Sequence, residues 1–473
     1  MAQILVTGAN GFIGSHLVRA LLLRGHRVRG LVRATSDLTS LQGLDIELYL
    51  GDLREPDSLI APLRGVDYVY HLGALLLGYS QADFEATNAV GTRNLLEAIR
   101  AQHGPELKRV LVTSSHAAPG PSPTPTPIDE ASPMQPVSYY GESKRRVEQL
   151  AAEYGASLPI TVVRPSSVYG DRERDVSQTF PTIAAGLHPR LGLRTRYAVM
   201  THVDDIVSGM IGAAESDATV GQVYFLTHPN VMDAAQVVQT IAQAMDKPNG
   251  VPVPVPSILI RVFAPVAEWM GQLSRERPNT TRDKAKELSN LYWTADPAKA
   301  LRDFGWSAKY DLLNGMKQTT AAYFAEQQSL REMPAEPQLT RWLKFITIAV
   351  VLGALIEISS ATGKFYSFTP EWIVFIVVFG GFGLGLGTVA YLLRRTGDLP
   401  QFLLGSVGTA IAEMGNVLGL TRNLFRWDFS PGWPFGITND LFRAFVLAFA
   451  GGFFVLLCNA IARALYTLRL KKG

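Results

Sequence analysis

The chain has 473 residues, too many for one ordinary core, so two or three units are expected. A formal charge of +3 excludes the strong basic bias of a nucleic-acid binder. The single cysteine, Cys458, excludes an internal disulfide and a multi-cysteine metal site, and no metal centre is expected.

Hydrophobic residues make up 47% of the chain and the mean hydropathy is +0.12, high for a fully soluble protein. The excess falls after Leu339, where long apolar runs appear. No leader is expected, because Ile4 already belongs to the first strand. Ile4 to Val6 is a short apolar run suited to a buried parallel strand. Gly8, Gly11 and Gly14 follow at a spacing of three, and Ser15 to Arg24 reads as a helix with Leu17, Ala20, Leu21 and Leu23 on its apolar face. A strand, a glycine turn and a helix N-terminus form a site for a pyrophosphate. The glycines let the backbone approach the phosphates, and the helix supplies free N–H groups and a positive dipole end.

Arg27 to Val32 predicts the second strand. Val32 and Arg33 stand where a carboxylate would hold the ribose 2′-hydroxyl of NAD, and no acid appears until Asp37. Arginine suits a 2′-phosphate, so NADP is favoured over NAD. Ile46 to Leu50 predicts a third strand, followed by Gly51-Asp52-Leu53, where the acid would meet the adenine. Tyr68 to Leu72 predicts a fourth, ending at Gly73-Ala74 beside the cofactor. Asn88 to Ala98 predicts a helix, and Val110 to Val112 begins a fifth strand ending at Thr113-Ser114-Ser115. This alternation implies an α/β, doubly wound parallel sheet.

Pro119 to Pro136 reads as an irregular loop. Tyr140 opens a helical stretch to Tyr154, with Lys144 four residues on and on the same face. An ammonium beside a phenol predicts a lowered tyrosine pKa. Tyr139 competes for the role but lacks lysine at the fourth position. Ile160 to Val163 predicts a sixth strand, and Arg164 to Gly170 a loop.

TGANGFIG, GDL, HLGA, NAVGTRNLLEA, VTSS, YYGESK, RPSSVYG and THVDDIV occur in the order seen in extended short-chain dehydrogenases/reductases, the NAD-dependent epimerase/dehydratase family. The chain resembles that family from Met1 to about Gln328. The resemblance implies a Rossmann-type core to about residue 165 and a substrate-binding portion from 166 to 328. It implies that Tyr140 is the general acid/base, that Lys144 supports it and holds the nicotinamide ribose, and that Ser115 hydrogen-bonds the substrate oxygen. The implied cofactor contacts are Gly8, Asn10, Gly11, Phe12, Ile13 and Gly14 in the turn, then Arg33, Asp52, Leu53, Leu72, Ala74, Asn88 and Thr113. Tyr140, Lys144, Pro165, Ser167 and Val168 complete them.

Three functions stay open: an NAD(P)-dependent oxidoreductase, a nucleotide-sugar epimerase or dehydratase, and a non-catalytic NAD(P) sensor. Arg33 speaks against the second, as does Leu187 to Thr201, which lacks the glycine-rich, arginine-containing approach to HVDD. The Tyr140–Lys144 pair speaks against the third.

His202 reads as structural, and Asp204 and Asp205 as capping a helix from Ile206 to Ala214. Val251 to Pro256 is extended, and Ile258 to Leu273, with Trp269 and Met270, reads as a core helix, with an apolar pocket wall or a membrane-facing helix as alternatives. Trp293 to Trp306 closes the substrate portion, and Gln327 to Leu339 reads as a polar linker.

Residues 341 to 473 predict an all-α transmembrane bundle. Its segments are Leu343 to Ala361, Trp372 to Leu393, Leu399 to Leu420 and Leu441 to Ala462. With four crossings, Arg341 and Lys344, Arg394 and Arg395, and Arg463, Arg469, Lys471 and Lys472 all fall on the cytoplasmic side. The third segment carries Glu413 and Asn416, so a three-span arrangement remains an alternative. Gly381, Gly383, Gly385 and Gly387 form overlapping GxxxG patterns, and Glu357 and Glu413 should avoid lipid. The expectation is an integral protein of the cell membrane with its catalytic domain in the cytoplasm. Its partners are a small, lipid-like substrate and membrane lipid, with no nucleic acid; a homo-oligomer stays open. Ala74 to Tyr79 (ALLLGY) would form an apolar wall beside the cofactor.

Overall fold

The computed structural model describes residues 1–102, 106–192, 194–255, 264–265, 268 and 281–332. The chain divides into two compact units, Met1–Met333 and Pro334–Gly473. The four expected spans, Glu357, Glu413, the GxxxG patterns and Cys458 lie outside the described residues, as does most of Ile258 to Leu273. Among the described residues no helix is long and apolar enough to cross a membrane.

Seven strands form the main sheet: β1 (Gln3–Thr7), β2 (Arg27–Val32), β3 (Glu47–Leu50), β4 (Tyr68–His71), β5 (Arg109–Thr113), β6 (Ile160–Pro165) and β7 (Val223–Leu226). All pair in parallel, in the order β7-β6-β5-β4-β1-β2-β3. The first six were legible as apolar runs; β7, a four-residue VYFL, was not singled out. The main helices are α1 (Phe12–Leu23), α2 (Gly91–Gln102), α3 (Tyr139–Tyr154), α4 (Val203–Glu215), α5 (Ala234–Ala244), α6 (Arg282–Ser289), α7 (Ala298–Phe304) and α8 (Leu312–Glu332).

Adjacent residues of a strand point to opposite faces, and β1 displays this directly. Ile4 and Val6 pack with Leu17, Val18 and Leu21 of α1 and with Ile206, Val207 and Met210 of α4. Leu5 packs on the other face with Leu95, Leu96 and Ile99 of α2 and with Val147 and Leu150 of α3. Each fully buried leucine contributes roughly 1.5–3 kcal/mol, so both helix layers are held by apolar contact. A smaller cluster of Tyr169, Phe180, Ile183, Met200, Ile241, Leu312 and Met316 supports the substrate portion. There Val251–Val255 runs parallel to Leu187–Leu191.

Four expectations on boundaries and caps are corrected. Helix α1 begins at Phe12 rather than Ser15, because Gly11, with φ −72° and ψ 173°, is already its N-cap. The helix expected from Asn88 starts earlier, as a π-helical turn Glu85–Val90 that runs into α2. His202, not an aspartate, caps α4 by accepting from Asp204 N, while Asp205 is buried and accepts from the N–H groups of Lys309 and Tyr310, both at 3.0 Å. The linker expected from Gln327 is helical as far as Glu332, the end of α8.

Candidate active site

The strand order reverses between β1 and β4, and the crevice of such a sheet opens there, beyond the carboxyl ends of the strands. Gly8 has φ +70°, and a Cβ on it would lie 2.8 Å from Gly73 N, across the switch point. A Cβ on Gly14 would run into the Gly8 carbonyl oxygen. The turn therefore accepts only glycine at both positions. Helix α1 starts without a side-chain cap, which leaves its first N–H groups for a ligand. Gly8, Gly11 and Gly14 with the backbone of Phe12 and Ile13 thus fit a diphosphate. Asn10 ties this turn to the loop after β2 through Asp37 O at 3.1 Å and Ser40 Oγ at 3.0 Å.

Arg33 stands exposed where β2 ends, its backbone N–H donating to Ser36 Oγ at 3.0 Å. Its guanidinium makes no hydrogen bond or ion pair among the described residues. Asp52 lies nearby, but its carboxylate is already gripped by Arg54 at 2.7 and 3.0 Å, which holds its pKa below the usual range. Leu53 is buried against Gly91. Leu72 and Ala74 are half-buried beside Gly73, whose N–H donates to Thr7 Oγ1 at 3.0 Å.

His71 closes β4 between two hydroxyls, Thr7 Oγ1 at 2.8 Å and Thr92 Oγ1 at 2.9 Å. Thr92 Oγ1 donates to Asn88 O at 2.5 Å, so the network assigns the ring proton to Nε2. Burial pushes this histidine down to about 3, and it is neutral. Asn88 was expected to touch the cofactor. Its amide makes two hydrogen bonds with the Leu75 backbone, at 2.6 and 3.0 Å, and one with Ser143 Oγ at 2.9 Å. It clamps the ALLLGY loop to α3. In that loop Leu75 and Leu77 are half-buried, and Leu76 is 64% exposed.

Ser115, just past β5, stands close enough to the Tyr140 phenol to lower its pKa, and its Oγ accepts from Ala117 N at 3.1 Å. Lys144 is buried; its Nζ donates to Thr113 O at 2.8 Å and lies 6.0 Å from the Tyr140 ring centroid. The expected fall in the tyrosine pKa is corrected: burial pushes the phenol up to about 12, against the lowering effect of Ser115. Lys144 is turned toward a carbonyl, and burial brings it down to about 8. Thr113 thus enters through its carbonyl, and its Oγ1 is buried with no partner among the described residues. Pro165 ends β6 and accepts from His116 N at 3.0 Å. Ser167 and Val168 lie on a short strand paired with Met200–His202, Ser167 exposed and Val168 packed on the core.

Two groups near the site were missed. Behind it, Arg164 pairs with Glu148 at 2.8 and 2.9 Å, and Ser114 Oγ donates to the same carboxylate at 2.6 Å. At its side, α6 brings Asp283, Lys284 and Glu287 to the start of α3. A TRDKAKELS run reads as any solvated helix, so spacing alone held no signal for them.

The profile of the NAD dependent epimerase/dehydratase family matches residues 4–226. The chain is 36% identical over 193 residues to sterol demethylase protein B of Methylococcus capsulatus, covering 40% of this chain and 58% of that protein. It is 30% identical over 230 residues to a 4-hydroxy-2-methyl-3-oxo-4-farnesyl-3,4-dihydroquinoline-1-oxide ketoreductase of Stigmatella aurantiaca, covering 47% of this chain and 67% of that one. The crystal structure of gox2253 superposes with a TM-score of 0.57 at 28% identity, over 69% of this chain and 99% of that chain.

Proposed function

The chain belongs to the NAD dependent epimerase/dehydratase family, an NAD(P)-dependent oxidoreductase or epimerase in type, and we propose that its reaction is NADPH-dependent reduction of a ketone on a lipid-like molecule. The observation that carries this reading is that Ser115 stands beside the Tyr140 phenol, which is neutral at ordinary pH. A neutral phenol beside a second hydroxyl is the form that gives a proton to a carbonyl oxygen.

NADPH, when bound, would supply hydride for the carbonyl carbon. The glycine turn and the N-terminus of α1 would hold its diphosphate, Arg33 its 2′-phosphate and Lys144 its nicotinamide ribose. Ser115 donates a hydrogen bond to the ketone oxygen. Tyr140 Oη gives its proton to that oxygen as the C–O π bond opens, which leaves an alcohol and a phenolate. The Lys144 ammonium offsets the phenolate charge.

The lipid-like substrate is supported by the names of two relatives, one a sterol protein and one a ketoreductase of a farnesylated compound. The open Leu76 beside the crevice also suits an apolar ligand. The four apolar segments from Leu343 to Ala462 would tether the enzyme beside a two-dimensional pool of such a substrate, with catalysis on the cytoplasmic side.

The test uses the full chain in mixed micelles with a 3-keto sterol and a farnesyl ketone as probes, following NADPH oxidation. Tyr140→Phe should lose about 10²-fold or more of turnover while NADPH affinity, by calorimetry, stays within about twofold. Arg33→Ala should weaken NADPH and leave NADH unchanged. Normal turnover by Tyr140→Phe, or epimerisation of a UDP-sugar with no ketone reduced, overturns the reading.

A further inference from the structure

The first turn of a helix carries backbone N–H groups with no partner inside the helix. In α3 these include the N–H groups of Tyr139, Tyr140 and Gly141. Ser138 caps the last of them from its own chain segment, accepting from Gly141 N at 2.9 Å. The other two are satisfied by α6, more than a hundred residues later. Asp283 Oδ1 accepts from Tyr139 N at 2.7 Å, and Oδ2 accepts from Tyr140 N at 3.1 Å. The Asp283 side chain is 7% exposed, so this carboxylate is committed to the helix end rather than to water. One turn on, Glu287 Oε1 accepts from Ser138 Oγ at 2.7 Å and Glu287 Oε2 pairs with Lys284 Nζ at 3.1 Å. Lys286 Nζ lies 3.4 Å from Asp283 and 4.0 Å from the Tyr139 ring centroid. Helix α6 is thus attached to α3 at the three residues Ser138, Tyr139 and Tyr140.

We infer that Asp283 is a positioning residue for Tyr140: its carboxylate, holding both N–H groups of the tyrosine pair, makes the substrate portion's α6 the element that sets where the proton donor stands. This rests on Tyr140 being the donor, as proposed above. The geometry is specific, because a bidentate carboxylate fixes two consecutive peptide planes and with them the direction in which the Tyr140 side chain leaves the backbone. A carboxylate at a helix N-terminus also faces the positive end of the dipole, which strengthens both bonds. Lys284 and Glu287 act on the same phenol in opposite senses, the ammonium lowering its pKa and the carboxylate raising it. The charges of α6 therefore act on the donor that Asp283 positions, as smaller effects than its desolvation.

The experiment uses the full chain with NADPH and the 3-keto sterol in mixed micelles. Asp283→Ala should lower kcat about 10- to 100-fold, as expected for a misplaced reacting group, with KM for NADPH within about twofold. Asp283→Asn keeps one accepting oxygen and should fall between the two. Hydrogen–deuterium exchange at Tyr139 and Tyr140 should speed up in Asp283→Ala and less in Asp283→Asn, while exchange in β5 stays unchanged. Lys284→Met should move the alkaline limb of kcat to higher pH and Glu287→Gln to lower pH, which a merely structural helix contact would not do. Unchanged exchange at the tyrosine pair, or an unchanged kcat in a folded Asp283→Ala, overturns the proposal. If the native chain reduces no ketone probe, the proposed reaction fails and the exchange measurement alone judges the clamp.

Discussion

His71 and His116 are both buried, and desolvation pushes each from 6.5 down to about 3. His71 has a hydroxyl on each nitrogen, whereas His116 Nε2 has no partner among the described residues and the ring meets Phe225 and Trp293 edge-on at 5.4 and 5.3 Å. Between those pH values the unfolded chain takes up protons that the fold excludes. Stability is therefore present above 6.5 and falls as the pH drops toward 3, by up to about 1.4 kcal/mol per pH unit for each histidine. His116→Phe keeps the edge contacts and removes one titration. Its urea midpoint should fall less steeply on acidification than that of the native chain; parallel acid limbs would disprove the role. Tyr140 and Lys144 teach a related point at this scale. Their spacing was legible, but the direction of the phenol pKa was not, because burial and the orientation of Lys144 toward Thr113 O are tertiary facts.

Among the elements, β5, α3 and β6 are locked by Ser114, Glu148 and Arg164, with side chains of Glu148 and Arg164 only 7% and 4% exposed. Removing one partner of such a pair leaves a buried charge uncompensated. Glu148→Gln should therefore cost about 3 kcal/mol, read as a lower denaturation midpoint, although the residue touches neither candidate ligand. A loss within error of zero would mean that water reaches Arg164. The pattern VEQLAAE on α3 showed an amphipathic helix, and nothing in it distinguished Glu148 from a solvated glutamate. The same holds for the π-helical turn Glu85–Val90: a helical pattern was visible, but the wider turn that carries Asn88 inward to Leu75 and Ser143 was not.

For the whole molecule, the division at Met333 and Pro334 separates a complete parallel sheet with its substrate portion from the apolar segments. A chain ended after Met333 should bind NADPH with the native affinity, because the residues assigned to the cofactor all lie before it. It should reduce the 3-keto sterol in vesicles far more slowly than the full chain, while a short soluble ketone is reduced equally by both. Equal rates on the vesicle substrate would remove the case for tethering. Reporter fusions at Lys472 would place the tail in the cytoplasm for four crossings and on the far side for three.

The sequence by itself determined the parallel sheet, the glycine turn and the Tyr140–Lys144 spacing, because each is written in local patterns: apolar runs, glycine spacing and residues four apart on one helix face. Only the tertiary structure decided which polar groups bond within the fold. Asn88 and Asp52 are bonded internally by Leu75, Ser143 and Arg54, while Arg33 is left free among the described residues. It also decided that Asp283, from a helix without any motif, holds the backbone of Tyr140. Hydrogen bonds between residues 143 or 144 positions apart depend on how the chain returns in space, and no local pattern encodes that return.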